Sequence, residues 1–160
     1  MYDLTNLELG GDEFMALPEG DYHFRVTGHS VEMSKSEKLP ANTQVIIANL
    51  EIPTLDGIVS IKHRMNVYGR VMFLITQFAT CIGILPEGAQ QKLDIKKMDG
   101  FDGVAHFGTR EYNGNTYNEI TRGGLYPPSK APKVTMNDGA WETYLKTGGV
   151  DAKDDGELPF

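Results

Sequence analysis

Within residues 20–122 apolar side chains recur with period two in five runs, and between Val71 and Ile82 the period changes to that of a helix, with polar loops at 33–42 and 86–99. A chain with this pattern is constrained to a half-buried sheet carrying one amphipathic helix. In the first run Tyr22, Phe24 and Val26 share one parity, while His23, Arg25, Thr27 and His29 take the other. The stretch "MSKSEKLPAN" (33–42) breaks it as a basic loop. A second strand, roughly residues 43–52, turns Ile46, Ala48, Leu50 and Ile52 to one face. Asp56-Gly57 signals a turn, and "IVSIKHRM" follows as a third strand with Val59 and Ile61 inward. Val71, Leu74, Ile75, Phe78, Ala79 and Ile82 then make one helical stripe, with Gly83 where a helix end favours glycine. "FDGVAHFGTREY" and "NTYNEITR" read as two further strands joined at Asn113-Gly114, a pair suited to a type I′ turn.

Three strands, a helix and two strands match an all-β fold, a five-stranded Greek-key barrel of the OB type with one helix between strands 3 and 4. A split α+β sandwich satisfies the same string. The expected organisation is an acidic N-terminal segment (1–19), the barrel (20–124), a Pro-rich linker with a possible short helix (125–150) and a flexible acidic C-terminal tail (151–160). In the third segment "LYPPSKAPK" reads as extended linker, and "DGAWETYLKTGG" as a helix capped by Asp138 with Trp141, Tyr144 and Leu145 on one side.

The net charge of −7 hides a segregation. Residues 1–19 hold five acids and no Lys or Arg, and residues 136–160 hold six acids against Lys146 and Lys153. The middle, 20–135, has 13 Lys and Arg against 11 Asp and Glu, so the barrel is mildly cationic. The single Cys81 excludes an intramolecular disulfide and a Cys-rich zinc site, in accord with a reducing compartment. No run is long and apolar enough to span a bilayer, and the acidic start lacks the basic region of a signal peptide, so a soluble, cytoplasmic protein is expected.

Enzyme chemistry finds no support in the pattern. His23, His29, His63 and His106 stand in no metal-ligand or triad spacing, and the Gly-Gly pairs match no phosphate loop. No cofactor and no metal are expected. A flexible polyanion is better served, because single-stranded nucleic acid needs cations for its backbone and aromatic faces for its bases. Outward parity offers Arg25, Lys62 and Arg64. Arg110, Tyr112, Tyr117 and Arg122 fall on or beside the last hairpin, with Lys35 and Tyr68 in flanking loops. Against this, Tyr22, Phe24, Phe101 and Phe107 read as core, and any sheet shows some Lys and Arg to water.

The end of the chain, "DAKDDGELPF", weighs on the nucleic-acid side. A solubilising tail has no use for Leu158, Pro159 and Phe160, whereas acids followed by a proline-stiffened apolar tip suit a hydrophobic slot rimmed by Lys and Arg. "DDGELPF" resembles the terminal peptide of bacterial single-stranded DNA-binding proteins, departing from it at Gly156 and Glu157. The resemblance implies that Asp154, Asp155, Glu157, Leu158, Pro159 and Phe160 recruit replication, recombination or repair proteins. "LPEGDYHFRVTGHSVEMSKSEK" and "FDGVAHFGTREYNGNTYNEI" are similar to the opening strand and closing hairpin of phage-encoded single-stranded DNA-binding proteins with an OB fold. That resemblance implies a phage protein that coats single-stranded DNA in the bacterial host cell, with homo-oligomerisation open. A protein-interaction adaptor without nucleic-acid binding, or an RNA-binding OB module, are the alternatives. Removal of residues 151–160 is expected to leave affinity for oligo-dT unchanged or raised while abolishing partner binding, because an acidic tail competes with DNA for a cationic groove. Titration of labelled oligo-dT with full-length and truncated protein, beside a pull-down of host replication proteins, checks both parts, and partner binding that survives the truncation contradicts the anchor.

Overall fold

The computed structural model describes residues 15–87 and 94–147. Most of the acidic N-terminal segment, and the whole C-terminal tail with its tip, lie outside the described residues. In chain order the elements are β1 (Gly20–Met33), β2 (Gln44–Thr54), β3 (Gly57–Asn66), α1 (Met72–Cys81), β4 (Asp102–Tyr112), β5 (Asn115–Leu125) and α2 (Asp138–Lys146). The five strands form one antiparallel sheet in the order β3-β2-β1-β4-β5.

The order follows from the length of β1, which at 14 residues serves two neighbours in succession. Its first half pairs with β4, from Gly20↔Phe107 to Arg25↔Asp102, and its second half with β2, from Arg25↔Glu51 to Met33↔Gln44. The register shifts between Val26 and Gly28, just past the hand-over, and an irregularity of this kind sharpens the twist that curls a sheet. The period-two reading holds: Tyr22, Phe24, Val26, Ala48, Leu50, Ile52, Val59 and Ile61 are all buried. Phe24 is the hub, stacked 6.3 Å from Phe78 of α1 and edge-on 5.9 Å from Phe107. Two-residue turns close the β2–β3 and β4–β5 hairpins, with Asn113 and Gly114 at φ of 52° and 79° as a type I′ turn demands.

The helix lies between β3 and β4 as its stripe predicts, and Ile75, Phe78, Ala79 and Ile82 are buried. It is shorter than the stripe, because a 3-10 turn occupies Gly69–Val71, and Leu74 in its first turn is 38% exposed. Gly83 follows at φ +85°, past the last helical residue. Phe101, expected in the core, is 40% exposed: it sits in the turn before β4, where its carbonyl accepts from Val26 N and its ring is left outside.

β3 and β5 are the two edges of the sheet. They approach to within 8 Å between Cα atoms, yet no ladder joins them, so the sheet is not closed. Among the described residues no helix is long and apolar enough to cross a membrane.

The segment expected as an extended linker is instead fastened to the sheet. Tyr126 Oη donates to Asp21 (2.7 Å), Ser129 donates through N and Oγ to the Glu87 carboxylate (3.0 and 2.6 Å), and Val134 is buried. α2 then covers the face opposite the core, with Trp141 stacked 5.1 Å from His23 and Tyr144 Oη donating to Glu51. The residue before the helix is Asn137, not the expected cap Asp138, and its side chain is spent elsewhere. Its Oδ1 accepts from His23 N (3.0 Å), and its Nδ2 donates to His23 O (3.0 Å) and Pro53 O (2.9 Å). It thus bridges β1 and β2 where their own ladder has ended at Arg25↔Glu51. Asn137→Ala strands backbone groups that are part-buried at His23 and buried at Pro53, and is expected to cost about 2–3 kcal/mol. Urea denaturation measures the loss, and the fluorescence of Trp141, the sole tryptophan, should shift to the red as α2 loosens.

Candidate nucleic-acid interface

Where the two sheet edges fail to join, the molecule has a cleft of about 1150 Å³, walled by residues 58–64 of β3 and by the β4–β5 hairpin, with Met15 also on its wall. Alternation along β3 decides what each wall residue offers. Ile61 and Met65 turn into the core, which leaves Lys62 and Arg64 exposed. Across the cleft, every residue from Thr109 to Tyr117 is exposed, so the hairpin projects beyond the core as an arm. On it Arg110 stands directly opposite Tyr117, and Tyr112 and Tyr117 are 58% and 43% exposed. The Arg110 guanidinium lies 5.8 Å from the Tyr112 ring centroid, a cation–π arrangement.

Lys62, Arg64, Arg110, Tyr112 and Tyr117, five of the nine contacts expected from sequence, therefore line one cleft. The other four do not. Arg25 faces away from the core as its parity requires, but α2 covers it. It pairs with Asp102 through Nε (2.5 Å) and Nη2 (2.9 Å), and its guanidinium lies 5.8 Å from the Trp141 ring and 5.2 Å from that of Tyr144. Lys35 is exposed in the β1–β2 loop, Tyr68 is half-buried ahead of α1, and Arg122 is exposed on β5 beyond the cleft wall.

The cleft cations have carboxylate neighbours, Glu119 on the cleft wall and Glu32 outside it. Arg110 Nε donates to Glu119 Oε1 at 2.9 Å, and Arg64 lies 3.8 Å from Glu32. Asn118 closes one part of the wall, with Oδ1 accepting from Leu17 N and Nδ2 donating to Met15 O, both at 2.9 Å. This tie straps residues 15–17 to β5 and seats Leu17 in the core. Sequence reasoning missed Asn118 because the strap is a contact across 101 residues with no local signature.

Alternation makes His63 legible as an inward residue, although the sequence pattern singled it out only as standing in no metal-ligand or triad spacing. It lies between Ile61 and Met65, so period two already turns it inward, where its ring tilts against Phe78 at 5.2 Å. Its Nε2 is shielded from solvent and has no hydrogen-bond partner among the described residues. Burial lowers its pKa to about 4. A second hollow, of about 320 Å³, shares no lining residue with the cleft and is walled in part by His23, Asp102, Tyr126 and Trp141. Cys81 beside it donates to Val104 O, and burial pushes its thiol up to about 11, so it is held as the unreactive thiol. Among the described residues no group of three or more His, Cys, Asp or Glu is placed to hold a metal ion.

With a folded pKa below that of the unfolded chain, His63 makes the unfolded state bind the extra proton as pH falls. Its contribution to stability is thus present above pH 6.5 and is lost progressively down to about pH 4. Between pH 7 and pH 5 the loss is expected to be about 2 kcal/mol. Urea denaturation at the two pH values should show this difference in the native protein and not in His63→Leu, and an equal pH response in both contradicts the assignment. In the comparisons with known proteins no protein-family model matches the chain, and no curated protein matches it in sequence.

Proposed function

We propose that this chain binds single-stranded DNA in the cleft between β3 and β5, and that the sheet is an OB-type Greek-key barrel left open at that seam. The strand order β3-β2-β1-β4-β5 is that of such a barrel cut between its third and fifth strands, with the helix in the expected connection. The observation that carries the reading is the convergence of Lys62, Arg64, Arg110, Tyr112 and Tyr117 on one cleft. Folding gives no reason to set two exposed tyrosines on a hairpin arm that is exposed from Thr109 to Tyr117. Single strands supply the reason, because each base has a π-face to stack and each phosphate a charge to neutralise. Under this reading the protein coats and protects single-stranded DNA during replication, recombination or repair, in a phage-infected bacterial cytoplasm, and its DDGELPF tip recruits the enzymes. Arg25 is withdrawn from the contact set, since α2 and Asp102 hold it.

Titration of labelled oligo-dT at several salt concentrations tests the proposal. With Lys62, Arg64 and Arg110 on phosphates, log K should fall with log salt at a slope of roughly −2 or steeper, and Lys62→Ala with Arg64→Ala should flatten it by about 1.4. Tyr117→Ala should weaken binding by about 1–3 kcal/mol with the slope unchanged. A flat salt response, or an absence of binding at low salt, contradicts the proposal and favours the protein adaptor.

A further inference from the structure

A groove for phosphates alone has no use for a carboxylate, yet Glu119 stands in this one. Its Oε1 accepts from Arg110 Nε at 2.9 Å, and Arg110 in turn reaches over the Tyr112 ring. The pair is partly solvent-exposed, with side chains 55% and 37% accessible, and ion pairs of that kind add little to stability. Balancing Arg110 for the sake of the fold is therefore a weak reason to place it there. Position supplies a stronger one. Tyr117 and Glu119 are two residues apart on β5, so their side chains leave on the same face, about 6.6 Å apart along the strand. A base stacked on Tyr117 brings its edge to the carboxylate.

An ionised carboxylate only accepts hydrogen bonds. In single-stranded DNA the groups able to donate to it are base N–H groups. Adenine, cytosine and guanine carry exocyclic amines, and guanine adds a ring N–H beside its amine, giving two parallel donors. Thymine has one ring N–H set between two carbonyl oxygens that face the carboxylate unfavourably. We infer that Glu119, held in orientation by Arg110, reads the edge of the base stacked on Tyr117 and makes the cleft favour bases with an exocyclic amine, guanine above all, over thymine. This deepens the single-stranded DNA reading and rests on it.

Competition binding with the full-length protein tests the inference, using oligo-dT, the same strand with every fourth thymine replaced by guanine, and a third strand with hypoxanthine at those positions. Native protein is expected to bind the guanine strand at least about fivefold more tightly than oligo-dT, with the hypoxanthine strand between them because it lacks the amine. In Glu119→Gln, which keeps the shape and loses the charge, the guanine preference should fall towards one while affinity for oligo-dT is kept or raised. Guanine stacks better than thymine on any ring, so a preference that survives in Glu119→Gln overturns the inference. Equal binding of all three strands by the native protein overturns it too and leaves the single-stranded DNA reading standing. Failure of every strand to bind at low salt overturns both.

Discussion

One strand shared between two half-sheets governs this molecule. β1 hands over from β4 to β2 at Arg25, and the irregularity between Val26 and Gly28 bends it there. Because β1 occupies the centre, β3 and β5 become the edges, and curling of the sheet brings those edges to face each other. The core fills the inside of the curl around Phe24, Phe78 and Phe107. The same hand-over leaves β1 and β2 splayed beyond Glu51, the gap that Asn137 bridges and α2 covers. Cleft and covered face are thus two results of one crossing point.

An edge strand carries unpaired backbone groups, which proteins blunt with charge or cover with chain. Here Lys62 and Arg64 charge the β3 edge, and the strap at Met15–Leu17, tied by Asn118, covers part of the β5 side. What remains is a polar slot with cations and tyrosines on its walls. The opposite assembly of Arg25, His23, Trp141 and Tyr144 also sets a guanidinium among rings, with a different result. There the rings stack on one another and the guanidinium, paired with Asp102 beneath α2, has its side chain only 19% exposed against 55% for Arg110, so the group holds α2.

Much of this was legible in the sequence because burial acts through short periods. Alternation placed Tyr22, Phe24, Val26, Leu50 and Ile61 inside, the i, i+3, i+4 stripe placed Phe78 and Ala79 against them, and Asn113-Gly114 set the last turn. The same alternation exposed Lys62 and Arg64, and the turn put Tyr112 and Tyr117 on a hairpin, which is why the cleft residues could be named in advance. Parity could not say what covers an outward face. Arg25 and Lys62 share that status in sequence, and only the docking of α2, more than a hundred residues after Arg25, separates them. The stretch 125–133 looked like a linker because it is fastened by polar contacts of Tyr126 to Asp21 and of Ser129 to Glu87, which leave no period to read. His63 was within reach of the same alternation, between the inward Ile61 and Met65, although only its spacing to the other histidines had been weighed.

The proposed seat of a ligand strand is the open seam between β3 and β5. Amide hydrogen exchange with and without saturating oligo-dT addresses it directly, since the outer edges of both strands carry N–H groups that no ladder protects. Slowed exchange is expected in residues 57–66 and 115–125 together, with 138–146 unchanged. Protection concentrated on α2, or on one edge alone, contradicts it.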